Sequence, residues 1–227
     1  MRAANCLLLL ACLSSAPAFA DDPPAQPRSR GEAREMFSAD GLEKTDLKGF
    51  DVAYKRPGAD LSGYKSVLLR PVTVSLRKDW ARTAGMEGIR ARPEDIERIK
   101  LRVSTFVREE FEKDMAAAGI AQAQAPGEDV LEVALSITDL YAAAPDVQVP
   151  GRSDVFALSA GEATLVGELR DSVSGETQFR FYDHGQAREW SRPRRILFNE
   201  NETEARKMAR SWAQALREGL QAARSAK

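Results

Sequence analysis

Between Ala163 and Arg170 the chain alternates: Ala163, Leu165, Gly167 and Leu169 interleave with Thr164, Val166, Glu168 and Arg170. A period of two sets the first group against a core and the second on the opposite face of a strand. Phe179 and Phe181 then alternate with Gln178, Arg180 and Tyr182, after the polar run Asp171-Ser172-Val173-Ser174-Gly175-Glu176. Glu162 to His184 therefore reads as a β-hairpin, the pairing unit for the rest of the chain. Asp171 and the serines can bond the local backbone, and Gly175 can adopt a positive φ. Asp171 is thus read as a turn former rather than a ligand carboxylate. Gly167 leaves a gap on the inward face, which suits a bulge or a close helix contact.

The same reasoning places further strands and two helices. In Val130–Tyr141, Leu131, Val133, Leu135 and Ile137 alternate with Glu132, Ala134, Ser136 and Thr138. A strand also runs from Val67 through Val72 and Val74 to Leu76; Pro71 cannot donate to a ladder and marks an edge or a bulge. Phe50, Val52 and Tyr54 predict a lead-in strand or extended arm before the Pro57-Gly58 turn. From about Pro93 to Ala118, Ile96, Ile99, Val103, Phe106, Val107, Phe111 and Met115 form one helical stripe. Pro93, Glu94 and Asp95 suit its first turn, and Gly119 with Ile120 suits its end. A last helix is expected from Glu202 to about Ala223, with Ala205, Met208, Ala209, Trp212, Ala215, Leu216 and Leu220 on its apolar face. Asn201 and Glu204 have capping-box spacing there. Strand, helix and strand across Val67–Tyr141 invite a right-handed crossover with parallel strands, to which the hairpin adds antiparallel partners. The expected fold class is α+β: a mixed, mostly antiparallel sheet of about four strands with two long helices packed on one face.

The N-terminus changes the domain count. Arg2, the apolar run Ala3–Leu13 and Ala18-Phe19-Ala20 before Asp21 have the three parts of a secretory signal peptide. Residues 1–20 are read as that signal, 21–47 as a flexible proline-containing tether (Pro23, Pro24, Pro27), and 48–227 as a single α+β domain. Within the tether, Met36 and Phe37 are candidate anchors. The apolar run is too short to span a bilayer, so no transmembrane span is expected in the mature chain. Leu9-Leu10-Ala11-Cys12 offers an alternative, a lipoprotein box with Cys12 as the lipidated first residue. The expected location is the periplasm, or the envelope surface through a lipid on Cys12. Cys6 and Cys12 both lie in the leader, so a chain starting at Asp21 has no disulfide or thiolate chemistry.

Charge narrows the partners. The chain has 33 basic and 34 acidic residues, a formal net charge of −1. Such balance gives no global field for nucleic acid, so none is expected as a partner. Envelope protein, glycan or lipid headgroup remain as partner classes.

The run RPGADLSGYKSVLLRPVTVS (Arg56–Ser75), the block GEATLVGELRDSVSGE (Gly161–Glu176) and the closing helix with Trp212 resemble the bacterial envelope family known as domain of unknown function 3313. The resemblance covers about Phe50 to Leu220. It implies a secreted envelope protein whose relatives carry lipoprotein labels, and it brings no activity, cofactor or catalytic residue.

Candidate chemistry is sparse. His184 is the sole histidine, and zinc needs three or four ligands drawn mostly from Cys and His, so no metal site or cofactor is expected. No G-x-S-x-G elbow, phosphate loop or dinucleotide fingerprint is present. Arg188, Trp190, Arg192, Arg194 and Arg195 are the candidate binding residues, because guanidinium groups grip phosphate or carboxylate and a nearby indole anchors a contact. Arg77, Lys78 and Trp80 form a similar cluster. The expectation is a non-catalytic periplasmic or membrane-tethered binding and assembly module. The alternative is a hydrolase or other enzyme acting on an envelope glycan or lipid, with Ala142–Ala160 as its lid. Asp183 and His184 converging with another carboxylate would favour the enzyme.

Overall fold

The computed structural model describes residues 26–80, 92–142, 155–159, 161–187, 189–196 and 198–225, with the backbone alone for 155–159, 189–190, 193–196, 198–200 and 224–225. Helix α1 spans Arg30–Ala39, α2 Pro93–Ala117 and α3 Phe198–Ser225. The strands are β1 (Glu43–Thr45), β2 (Val52–Lys55), β3 (Ser66–Leu69), β4 (Thr73–Leu76), β5 (Ala121–Gln122), β6 (Val130–Ala142), β7 (Val155–Ser159), β8 (Gly161–Asp171), β9 (Thr177–Gln186) and β10 (Glu189–Ile196). Eight of them make one sheet in the order β1-β2-β9-β8-β6-β3-β5, with β4 also beside β6; β7 and β10 pair as a separate antiparallel ribbon. The fold is α+β with a mixed sheet, but among the described residues that sheet has eight strands rather than about four, and there are three helices rather than two.

β8 and β9 form the predicted hairpin, in register from Glu162↔Gln186 to Leu169↔Phe179. Asp171 closes its turn, accepting hydrogen bonds from the Val173 and Ser174 amides at 3.1 and 2.7 Å, while Gly175 sits at φ +73°. β3 and β4 lie parallel to β6, as the crossover through α2 requires. Pro71 falls in the break between β3 and β4, so the ladder is interrupted where a donor is missing. At Gly167 neither a bulge nor a helix fills the gap. A Cβ there would lie 2.0 Å from Cζ of Phe181, its cross-strand partner, whose ring covers the glycine and packs 4.4 Å from the Phe50 ring.

On one face, α2 and α3 cover the sheet. Ile99, Phe106, Val107, Phe111 and Met115 from α2 meet Leu131, Val133, Leu135 and Ile137 of β6 and Leu165 and Leu169 of β8 in one cluster. α2 ends as its sequence predicts: Gly119 takes φ +69° and the Ile120 amide reaches back to the Met115 carbonyl at 3.0 Å. α3 contributes Ala209, Ala213, Leu216 and Trp212, and its small residues bring it onto β9, where a Cβ on Gly185 would meet the Met208 sulfur at 2.5 Å. The helix begins earlier than its spacing predicted. Asn201 lies inside α3 and is buried, so Asn201 and Glu204 do not form the capping box.

The opposite face carries the main departure. Residues expected as part of a tether fold into α1 and β1. Ser29 caps α1 by accepting the Glu32 amide at 3.1 Å, and Phe37 is 1 % exposed. Ala33, Phe37, Leu42, Val52, Tyr54, Val166 and Tyr182 make a second cluster. Beneath α1, Glu168 accepts both Arg180 (Nε at 3.1 Å) and Thr177, and Arg180 also pairs with Asp40 just past the end of α1. Burial lowers the Arg180 pKa, and these two carboxylates supply the charge it faces.

Two core substitutions should behave differently. Phe37→Ala is expected to release α1, so that amides of residues 33–39 exchange much faster while those of β6 stay protected. Phe106→Ala should lower global stability by about 3–5 kcal/mol and speed exchange in β6 as well. Equal loss of β6 protection in the two variants would show that the outer layer is not separable.

Candidate functional site

Where β6 nears its end, Asp139 takes φ +50° and the register with β8 shifts between Thr138 and Tyr141. This bulge turns Leu140 inward and carries Tyr141 and Ala142 past the edge of the core. A cavity of about 90 Å³ opens there between the sheet, α2 and α3. Its walls include Val103 and Phe106 from α2, Ile137 and Leu140 from β6, and Met208 and Trp212 from α3. The space exists because other wall positions carry small side chains: Ala142, Ala163, Ala187 and Ala205.

Charged residues at the mouth have partners within the chain. Arg102 binds Glu202 at 2.6 Å and Arg98 binds Asp95 at 2.6 Å. Arg206 first, then Arg102, holds the Glu202 carboxyl below the usual range. Arg77 lies 4.4 Å over the Tyr141 ring and pairs with Glu162, while Trp80 is buried and donates to the Ala142 carbonyl at 3.2 Å. The Arg77–Trp80 stretch therefore backs the wall residues Tyr141, Ala142 and Glu162. Burial pushes the Tyr141 phenol up.

In sequence, the second arginine stretch lies between two wall residues of the cavity. Ala187 and Asn201 both line the cavity, and β10 is the strand between them. Its partner β7 belongs to the stretch expected as a lid: Arg194 pairs with Ala157 and Arg195 with Phe156. The Ala187 amide binds the Gly161 carbonyl at 2.9 Å. Of the five predicted binding residues, Arg192 is exposed on β10. Arg194 and Arg195 are placed by backbone register and Trp190 lies within β10, the side chains of all three lying outside the described residues, as does the whole of Arg188. Residues 143–154, Ala160 and Cys12 are outside the description too.

Asp183 and His184 are neighbours on β9 and so face opposite sides of the sheet. Asp183 accepts the Trp212 indole N–H at 2.7 Å and the Asp51 amide at 3.2 Å. The His184 ring instead lies on the outer side, with Nδ1 3.2 Å from Thr164 Oγ1 and Nε2 3.9 Å from Glu162. The two side chains do not converge on one cleft. Asp51 links the faces, since its carboxylate also accepts the His184 amide at 3.2 Å and pairs with Arg30 of α1 at 2.7 Å.

The cavity was not legible in the sequence, because its walls come from five separated stretches and nearly every wall residue already serves a helical or strand pattern. The one local hint was the recurrence of alanine on the faces that α3 and β8 turn inward.

Two aspartates should titrate apart. Burial raises the Asp183 pKa, whereas the Ser174 amide, with further donors behind it, lowers that of Asp171. Asp171 then contributes stability present above its unfolded value and lost as pH falls through its folded pKa. For Asp183 the sign reverses: burying its charge costs stability above its folded pKa, and that cost fades as pH drops. Carboxyl ¹³C shifts followed against pH should give Asp183 a midpoint above the ordinary aspartate value and Asp171 one below it; the reverse order would contradict the assignment.

Among solved structures, the chain is similar to a minor lipoprotein from Acinetobacter baumannii, at 14% identity over 71% of this chain and 95% of that one, with a TM-score of 0.35. It is also similar to a PelC dodecamer from Paraburkholderia phytofirmans, at 9% identity over 75% of this chain and 96% of that one, with a TM-score of 0.28. No curated protein sequence matches. The model of the family described as protein of unknown function (DUF3313) matches residues 32–216, beginning within α1 rather than at the lead-in strand, and the chain belongs to that family.

Proposed function

We propose that this chain is a non-catalytic binding module of the bacterial envelope, which takes an apolar group of an envelope partner into the cavity between α2, α3 and the β6–β8 end of the sheet. One observation carries the reading. The cavity is walled by Val103, Phe106, Ile137, Leu140 and Met208, while the charged groups at its mouth are held by partners within the chain, as Arg102 is by Glu202. Such a lining favours burial of hydrocarbon, at about 0.8 kcal/mol per methylene, and offers little to orient a proton transfer. The leader pattern at residues 1–20 supports an envelope location, in the periplasm or at a membrane through Cys12.

Filling the cavity tests the reading. An uncharged apolar dye, N-phenyl-1-naphthylamine, is expected to bind the wild-type protein with a rise in fluorescence. Ala205→Phe, which places a ring in the space left by a wall alanine, is expected to weaken that binding by about tenfold or more while leaving the circular dichroism spectrum and melting transition in place. Equal binding by both proteins, or none by the wild type, would sink the proposal.

A further inference from the structure

The cavity is smaller than most of what it could take in. Its volume is about 90 Å³, below the ~150 Å³ of an engineered apolar cavity that binds benzene. A larger apolar group can enter only if a wall moves, and much of the wall is pinned. The β6–β8 ladder fixes the sheet side, and Trp212 is held by its hydrogen bond to Asp183 at 2.7 Å. Farther along the helices, Glu110 is buried and reaches Arg206 at 3.5 Å and Arg210 at 3.2 Å. Separating α2 from α3 there would strip a buried carboxylate of its partners, which is costly.

The N-terminal arms of α2 and α3 are held together by a lighter contact. Arg102 donates across to one oxygen of Glu202, from Nε at 3.0 Å and Nη2 at 2.6 Å. Both residues line the cavity, whereas Glu109, Glu110 and Asp114, which tie α2 to α3 farther on, do not. Arg102 stands about two helical turns, roughly 10 Å, before the Glu109 tie. The side chains of Arg102 and Glu202 are 46 % and 22 % exposed, so the pair is weak and screened by salt. When Arg102 lets go, Glu202 keeps Arg206 of its own helix at 3.0 Å. Other mouth charges travel with their arms: Arg98 pairs with Asp95 and Glu204 with Lys207, each within one helix.

We infer that Arg102 and Glu202 form a clasp that gates the cavity, and that an apolar group too large for the closed space binds where the clasp has parted. This rests on the cavity-binding reading above and adds how that site is opened. While the clasp is closed the protein is not competent to bind, and the apparent affinity falls by the fraction of time it is open. A weaker clasp therefore binds more tightly, the reverse of what losing an ordinary contact residue does.

The test follows N-phenyl-1-naphthylamine binding to the full chain by stopped-flow fluorescence. The dye is uncharged, so a changed protein charge does not act on it directly. Glu202→Gln and Arg102→Gln should each raise the association rate constant and the affinity about threefold to fivefold, with dissociation changed by less than about twofold. The double variant should gain no more than either single one, because both remove the same pair. Raising NaCl from about 0.02 M to about 0.5 M should tighten binding by the wild type more than by Glu202→Gln. If the dye binds and Ala205→Phe blocks it, but both glutamine variants bind no faster than the wild type, the gate fails and the binding module stands. Gains that add in the double variant would also overturn the clasp, since the two residues would be acting separately. If the dye does not bind the wild type, both readings fail.

Discussion

β8 has to bury both of its faces, and much of the architecture follows from that demand. Leu165 and Leu169 point into the main core with no more than 2 % exposure, while Thr164 and Val166, on either side of Leu165, are buried on the other face. A strand that alternates apolar with mixed residues would ordinarily leave the mixed face wet. Here Val166 and Tyr182 are covered by Phe37 and Ala33 of α1, and Glu168 lies under the same helix with two arginines and a threonine to satisfy it. Losing α1 would take Asp40 away from Arg180 while leaving its pair with Glu168, so the Asp40 contact helps fix where the outer layer sits.

The cavity side is organised differently. α2 and α3 are joined along their outer edges by ion pairs: Arg206 with Glu109 at 3.0 Å, Arg210 with Glu110 at 3.2 Å and Arg217 with Asp114 at 2.9 Å. The arginines are 22–57 % exposed, so each pair is worth at most about 1 kcal/mol. Their role is registry. They fix how far one helix slides along the other, and hence how the alanines of α3 face the wall of α2. Glu202 continues this ladder to the cavity mouth, where it meets Arg102 and Arg206 together.

Where local pattern and tertiary packing agreed, the sequence was legible. The β8–β9 hairpin, the parallel β3–β6 relation and the stripe and glycine terminator of α2 each had a period or a turn residue behind them. α1 was missed because Pro23, Pro24 and the charges of Arg28–Glu35 suggested an unpacked tail, and only Ala33 and Phe37 of its residues are buried. The signal was present all the same: Ser29 and Glu32 stand at capping-box spacing, the Glu32 amide donates to the Ser29 hydroxyl at 3.1 Å, and the Glu32 carboxylate accepts the amide of Arg28, one residue before the cap, at 2.8 Å. The pair Asn201 and Glu204, with similar spacing, lies inside a helix that starts earlier. Spacing alone therefore did not discriminate. β10 was hidden for another reason. Pro193 argues against a central strand, and its partner β7 lies some thirty residues upstream, so nothing local announced the pairing.

Trp212 is where the two sides of the molecule meet. Its ring lines the cavity, and its indole N–H binds Asp183, which also accepts the Asp51 amide; Asp51 in turn holds Arg30 of α1. Turning that indole aside would leave a half-buried carboxylate short of a donor, a loss that costs more than a neutral hydrogen bond returns. The Trp212 wall is therefore the stiff one. Met208, on the same helix and one turn earlier, has an unbranched thioether that can refill irregular space. An apolar occupant of this cavity would meet one wall that sets its position and another that shapes itself to the occupant.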